Sequence, residues 1–151
     1  MLDETDQRLI RALQCNALMT AQELGQHLNL SASQAGRRRQ RLEEAGYLTG
    51  ARALADPVRL GLTVQAFVQV QMAHHDAETA ASFHRLVTAQ PAITAAFTLT
   101  GEADYLLRVW CADLQALHAL VHGILLAHPA VARVQSQIVM DQLKPDAPLP
   151  V

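Results

Sequence analysis

The spacing of apolar residues changes once along this chain, near Gly46, and the change separates two parts of different structural class. Before Gly46, apolar residues such as Leu9, Ile10 and Leu13 recur three and four positions apart, as on one face of a helix. From Thr63 onward they alternate with polar residues, as in a half-buried strand. We find no internal repeat, and we therefore expect two small domains.

The first 48 residues contain three signals for the start of a helix. Asp3 begins DETDQRLIRAL, Thr20 opens TAQE and Ser31 opens SASQ, and the last two have the form of a capping box. Asn29 and Leu30 leave only a short turn between the second and third helices. Three short helices with so tight a turn predict a helix-turn-helix.

The second part of the chain alternates between strand and helix patterns. Strands are predicted from Thr63 and in ITAAFTLT, YLLRVWCA and ARVQSQIVMDQL, with helices from Asp76 to Ala89 and across LQALHALVHGILLA. The resulting order, βαββαβ, is the ferredoxin-like unit, so the fold class is α+β. We expect a helix-turn-helix domain over 1–50, a linker or hinge strand over 51–62, the βαββαβ domain over 63–144 and a flexible, proline-rich tail over 145–151.

The charge distribution limits how such a chain could bind nucleic acid. Residues 1–60 carry 8 basic and 7 acidic side chains, the remaining residues carry 4 and 7, and the net charge is -2. A strongly basic nucleic-acid binder is excluded, so DNA binding would need a local patch and more than one copy of it. The start of the chain lacks a signal-peptide pattern and no apolar stretch is long enough to span a bilayer. We expect a cytoplasmic protein that does not bind membranes.

The candidate patch is the third helix, SASQAGRRRQRLEEAG, which holds four of the 12 basic residues. On a helical wheel Ala35, Arg39, Leu42 and Gly46 face the core, whereas Arg37 and Arg41 point outward with Ser33, Gln34 and Gln40. Arg39 must extend to solvent or pair with an acid such as Glu43. Most short charge runs are solvated helix faces, but the third helix of a helix-turn-helix enters the major groove of double-stranded DNA. The residues predicted to contact DNA are Ser33, Gln34, Arg37, Arg38, Gln40 and Arg41.

Signals for catalysis or metal binding are weak. His118 and His122 stand four positions apart on a predicted helix, but no Glu or Cys accompanies them. The two cysteines, Cys15 and Cys111, have no CxxC partner, and no nucleophile elbow, P-loop or dinucleotide motif is present. We expect no catalytic residue, no metal and no cofactor.

The chain resembles the Lrp/AsnC (feast/famine) family of transcription regulators. The resemblance rests on LDETDQRLIRAL, ELGQHLNLSASQAGRRRQRLEEAGYLTG, LADPVRLGL, GEADYLLRV and IVMDQLK, and it covers roughly residues 2–144. It implies a winged-helix-like or extended helix-turn-helix joined to a ligand-sensing βαββαβ domain. It also implies homodimers that pair through the sensing domain and often assemble into octamers.

The same resemblance implies an amino-acid effector pocket at a subunit interface, beside the turn that follows the second strand. A glycine there lets backbone N–H groups approach a carboxylate, and an aspartate can accept from an ammonium, although these residue types also make ordinary hairpin turns. In the fourth strand, RVQSQ stands where family members usually carry paired threonines. The predicted effector residues are Gly101, Glu102, Ala103, Asp104, Tyr105 and Ser136.

Two other functions are consistent with this architecture. Siroheme decarboxylases resemble the same two-domain arrangement, and their chemistry would need histidines and arginines around a tetrapyrrole. A sensing or assembly module with a vestigial DNA helix is the third interpretation. Salt-dependent DNA binding favours the regulator, whereas haem-like absorbance of the purified protein favours the enzyme.

Overall fold

The computed structural model describes residues 1–151 and forms two compact units. The N-terminal unit consists of Met1–Leu54 together with Leu143–Val151, and the C-terminal unit of Ala55–Gln142. None of the helices combines the length and the apolar character that crossing a bilayer requires.

Three helices form the N-terminal unit, and each begins after its predicted cap. Their bounds are Glu4–Cys15 (α1), Ala21–Leu28 (α2) and Ala32–Glu44 (α3). At all three starts the capping side chain accepts from the backbone N–H three residues on, and the side chain at that position accepts from the backbone N–H of the capping residue. These reciprocal bonds satisfy donors that a helix start leaves unpaired, which explains why the starts could be predicted from sequence.

The turn between α2 and α3 is tight because two residues adopt special roles in it. Asn29 has φ 58° and ψ 45°, the left-handed conformation that asparagine tolerates better than most residues. Gly25, in the last part of α2, has no side chain and so lets the turn approach closely: a Cβ built on it would lie 2.7 Å from the carbonyl oxygen of Leu30. The backbone of the turn therefore needs glycine at this position.

A four-stranded antiparallel sheet and two helices form the C-terminal unit. In chain order the elements are Val64–Met72 (β1), Ala77–Thr88 (α4), Ile93–Thr98 (β2), Tyr105–Cys111 (β3), Leu114–Leu120 (α5) and Val131–Ile138 (β4), and a π-helical turn over Val121–Leu125 continues α5. The spatial order is β2-β3-β1-β4. This is the predicted βαββαβ arrangement, with the first strand at the centre of the sheet.

One face of the sheet is covered by the helices and the other is not. Val68 and Val70 of β1 and Leu107 and Val109 of β3 are fully buried against Phe83 of α4 and its neighbours. The alternate residues of the same strands lie on the opposite face, which we call the open face. No element of the C-terminal unit packs there, and the side chains of this face are half-buried or exposed.

Two local expectations from the sequence are corrected by the structure. Residues 51–62 contain a turn at Pro57–Gly61 but no strand, because no other strand of this chain pairs with them. Gly46 does not face the core: α3 ends at Glu44, and Gly46 adopts φ +75° just beyond it. Such a left-handed glycine commonly ends a helix.

The predicted flexible tail is held on α1. The side-chain amide of Gln14 accepts from the backbone N–H of Leu149 at 2.6 Å and donates to its carbonyl oxygen at 3.1 Å. Arg11 donates to the carbonyl oxygen of Val151 at 2.5 Å. A glutamine amide supplies one donor and one acceptor, which matches the backbone of a single residue.

The turn between α2 and α3 generates a stability prediction. Gly25→Ala should destabilise the chain by about 1–3 kcal/mol, because the added methyl forces the backbone at Leu30 to move. Gly36→Ala is the matched control, since its Cβ would meet only the Ala21 methyl at 3.7 Å and alanine favours helix. Thermal melting followed by circular dichroism should show a lower midpoint for Gly25→Ala alone. Equal midpoints for the two variants would contradict the role assigned to Gly25.

Candidate DNA-binding helix and effector site

Helix α3 presents an exposed N-terminal half. Ser33 and Gln34 are exposed, and Gln34 uses its side-chain oxygen to accept from the backbone N–H of Ser31 at 3.0 Å, which leaves its amide donors available. About two turns after Ser33, Gln40 is exposed and donates to Glu44 at 2.9 Å. Polar side chains able to hydrogen-bond base edges or phosphates thus line this surface.

The four arginines of α3 are not equivalent. Arg37 is exposed and has no ion-pair or hydrogen-bond partner in the chain. Arg39 pairs with Glu43, the acid predicted from sequence: its Nε lies 2.8 Å from the Glu43 carboxylate. Its Nη1 donates to the carbonyl oxygen of Met19 at 3.2 Å. Arg37 is therefore the unpaired cation of α3, and Arg39 is a satisfied structural residue.

Arg38 and Arg41 bind a buried carboxylate that the sequence analysis did not identify. Nη1 of Arg38 lies 2.7 Å from Asp6, and Nη2 of Arg41 lies 2.6 Å from the same carboxylate, whose side chain is only 2% exposed. Arg38 also pairs with Asp3 at 2.7 Å, and this hydrogen bond holds the pKa of the Asp3 carboxyl below its ordinary value. The helical wheel places Arg41 on the solvent side of α3, but in the structure its guanidinium reaches back to α1 and binds Asp6.

The sequence contains a signal for this ion-pair cluster. Asp6 lies three, four and seven positions before Leu9, Ile10 and Leu13, so it belongs to the apolar stripe of α1. A carboxylate on an apolar stripe is buried at a large cost in free energy unless a cation pairs with it. Read this way, Asp6 predicts an arginine partner from another helix.

The predicted effector turn joins β2 to β3 and is fixed by hydrogen bonds. Gly101 has φ +119°, a conformation that favours glycine, and the backbone N–H of Leu99 donates to the carbonyl oxygen of Asp104 at 2.8 Å. The Asp104 carboxylate accepts from the backbone N–H of Met72 at 2.7 Å and faces His75 at 3.6 Å. One oxygen of Asp104 is therefore already engaged by β1.

The structure brings only part of the predicted effector set together. Glu102 and Ala103 line a cleft of about 30 Å³ on the open face, with Gln69, Gln71, Arg133 and Gln135 as the other lining residues. Tyr105 instead packs toward the helices, its ring centroid 4.8 Å from that of Phe83. Ser136 pairs with Val68, so it lies on the helix-covered side of the sheet rather than beside the cleft.

The cleft on the open face carries both signs of charge. Glu102 supplies a carboxylate and Arg133 a guanidinium, and the glutamines between them offer donors and acceptors. A zwitterionic ligand presents the complementary pair of charges within a few atoms. A volume of about 30 Å³ is of the order of one water molecule, so a larger ligand needs additional walls.

Three of the seven histidines lie near one another in sequence at and after α5. The rings of His118 and His122 are exposed and stack with centroids 4.3 Å apart on α5 and the turn that follows it. His128 is buried, its Nε2 lies 3.1 Å from the Ser82 hydroxyl, and its Nδ1 accepts from the backbone N–H of Ala130 at 3.3 Å. His128 is therefore part of the core.

Comparison with known proteins agrees with this geometry. Residues 2–43 match the AsnC-type helix-turn-helix domain, and residues 65–149 match the Lrp/AsnC ligand binding domain. The chain belongs to the Lrp/AsnC family of DNA-binding transcription regulators.

Individual relatives cover the whole chain. It is 34% identical over 151 residues to the DNA-binding transcriptional activator DecR of Escherichia coli K12, which is 100% of this chain and 99% of that protein. It is 34% identical over 135 residues to the Bkd operon transcriptional regulator of Pseudomonas aeruginosa, covering 89% of this chain and 88% of that protein. These relatives give no support to the interpretation as a tetrapyrrole decarboxylase.

A solved structure shares both units of the fold. The crystal structure of a transcriptional regulator from Neisseria meningitidis in complex with L-methionine superimposes with a TM-score of 0.95 at 35% identity, covering 99% of this chain and 97% of that chain. The fold class predicted from sequence is thereby confirmed.

Proposed function

We propose that this regulator places the exposed half of α3 in the major groove of double-stranded DNA. The observation that carries the proposal is Arg37, an exposed and unpaired cation one turn after the capped start of the second helix of a helix-turn-helix. Ser33, Gln34 and Arg37 contact base edges or phosphates, Gln40 extends that surface, and Arg38 and Arg41 lie at its flank. Access to chromosomal DNA places the protein in the cytoplasm.

We propose further that the protein works as a homodimer joined through the open face of the sheet. Phe67, Leu106 and Trp110 are half-buried there, and Phe97 is 52% exposed, although nothing in the chain covers them. An antiparallel sheet can leave its second face in water when that face is polar, but four large apolar side chains on the open face favour packing against another layer. Further association of such dimers would give the octamer that the family resemblance implies.

A dimer would compensate for the low positive charge that a single α3 presents to DNA. One unpaired arginine on α3 gives little affinity, but two linked copies convert the second DNA contact into an intramolecular event. Two helices related by a two-fold axis also match two half-sites on one duplex. A chain of net charge -2 can then bind its operator.

We propose that the effector is an amino acid held in the cleft of the open face, near the turn over 101–105. Arg133 binds the carboxylate and Glu102 the ammonium, while a second copy completes the walls of the cleft. The complex of the Neisseria relative with L-methionine supports this ligand class. Tyr105 and Ser136 lie on the other side of the sheet, so they act on the ligand only through the strands that carry them.

Replacement of the unpaired arginine tests the DNA-binding helix. Arg37→Ala should weaken binding to an operator duplex and reduce the salt slope of log affinity by about one, if the side chain neutralises a phosphate. If it reads a base, the loss is about 1–3 kcal/mol for the operator and is absent for unrelated DNA. Arg85→Ala on α4, also exposed, is the charge-matched control. Fluorescence anisotropy in which Arg37→Ala keeps the wild-type affinity and salt slope would remove Arg37 from the proposed interface.

Sedimentation tests the dimer. The wild type should sediment as a dimer or larger assembly at micromolar concentration, and Leu106→Arg should dissociate it, since a cation on the open face would be desolvated at the contact. Ala81→Arg, on the exposed side of α4, should leave the assembly intact. A monomeric wild type at micromolar concentration defeats the proposal.

Calorimetric titration tests the effector. L-methionine and then each of the other common amino acids should be titrated into the protein, and a ligand that binds should also change operator affinity, because linkage requires reciprocal effects. Glu102→Gln should weaken that ligand about tenfold or more by removing the partner of its ammonium. Glu78→Gln on α4 is the control. If no amino acid binds, or if Glu102→Gln binds normally, the assignment of the cleft is wrong.

A further inference from the structure

The buried carboxylate of α1 links the core of the N-terminal unit to its arginine surface. Asp6 is 1% exposed and lies on the apolar stripe of α1 with Leu9, Ile10 and Leu13, all of which are buried. Because it is buried, its carboxylate can touch neither DNA nor solvent ions. Whatever Asp6 contributes to DNA binding must pass through the side chains that it holds.

Those side chains are the two arginines of α3 that lie beside the proposed reading surface. Asp6 accepts from Nη1 of Arg38 at 2.7 Å and from Nη2 of Arg41 at 2.6 Å through both of its oxygens. Arg38 is further tied to Asp3 and keeps 30% of its side chain exposed. Three ion pairs, which share Asp6 and Arg38, therefore fasten α3 to the start of α1.

Arg41 is held at one end only. Its Nη2 contacts Asp6, yet 59% of the side chain remains exposed, and none of the bonds to the protein uses its Nε or Nη1. A guanidinium is a rigid planar fork with five N–H donors, so fixing one nitrogen also fixes the direction of the others. The free donors are thus aimed from a buried anchor toward solvent.

We propose that Asp6 is a positioning residue for DNA binding, which holds the guanidinium of Arg41 so that its free N–H groups meet a DNA phosphate while the bond to Asp6 persists. This inference rests on the proposed role of α3 as the DNA-contacting helix. Arg38, bound by two carboxylates, fixes the helix and leaves the phosphate to Arg41.

Pre-ordering explains why an acid next to a phosphate site increases affinity. A free arginine loses side-chain entropy when it is immobilised, and for Arg41 that loss is met on folding rather than on binding. The negative charge of Asp6 is neutralised by two guanidiniums, so its repulsion of the phosphates is small. Arg37, by contrast, stays mobile until DNA orders it.

A double-mutant cycle separates positioning from simple stabilisation. The probe is a DNA duplex selected by the wild-type protein from a random-sequence pool, with an unselected duplex of equal length for comparison. Asp6→Asn should lower affinity for the selected duplex about tenfold, and Arg41→Gln should lower it by a similar factor. In the Arg41→Gln background, Asp6→Asn should change affinity less than twofold, because Asp6 then has no phosphate donor to position. Asp76→Asn, at the capping aspartate of α4, is the matched control and should bind like the wild type.

A second variant covers the case in which Asp6→Asn does not fold, as judged by circular dichroism at the assay temperature. Arg41→Lys keeps the charge but replaces the fork by a single ammonium, which cannot hold Asp6 and a phosphate in the same fixed geometry. It should lose nearly as much affinity as Arg41→Gln. A lysine variant that binds like the wild type overturns the bridging role.

The remaining outcomes also decide. Additive losses in the double mutant, unchanged binding by a folded Asp6→Asn protein, or an increase in its affinity each overturn the inference, the last by showing that Asp6 withholds the arginines from DNA. If Arg37→Ala and Arg41→Gln both bind normally, the assignment of α3 to DNA fails first. If Arg37→Ala weakens binding and Asp6→Asn does not, only the positioning role is lost.

Discussion

A single buried carboxylate determines how the arginine-rich helix of this regulator can be used. Asp6 sits on the apolar stripe of α1, where a carboxylate is tolerated only with cationic partners, and α3 supplies two of them at 2.6–2.7 Å. Removing both partners would leave an unpaired charge in a place that water does not reach. The ion pairs that join α1 to α3 also fix the guanidiniums of Arg38 and Arg41, so in the proposed mode of DNA binding stability and recognition are coupled at Asp6.

Most of the fold could be predicted from sequence because its signals are local. Asp3, Thr20 and Ser31 mark helix starts through bonds spanning three residues, and alternating residues mark strands. Arg41 was assigned to the solvent side because a helical wheel gives the direction of Cβ and ignores a side chain long enough to reach the next helix. The position of Asp6 within the apolar stripe of α1 is the sequence signal that indicates a cationic partner from another helix.

The candidate effector site was less predictable, since it depends on register between strands far apart in sequence. Glu102 was placed correctly on a turn, but its neighbours in the cleft, Gln69 of β1 and Arg133 of β4, come from strands whose pairing no local pattern specifies. A shift of one residue in register would exchange the two faces of the sheet. Ser136 and Tyr105 illustrate this, because their strands place them on the helix-covered side.

The open face gives the effector cleft and the proposed dimer a common physical origin. A cleft of about 30 Å³ is too small for an amino acid, and the half-buried Phe67, Leu106 and Trp110 beside it lack a covering layer. In the proposed dimer, both deficiencies would be met by the packing of a second sheet on this face. A ligand that contacts residues from two copies binds the assembled state better than the separated one, and it must shift the assembly equilibrium by that difference in affinity. If DNA affinity depends on how many copies of α3 are joined, as proposed, then effector binding at the open face would control DNA binding without a rearrangement inside either unit.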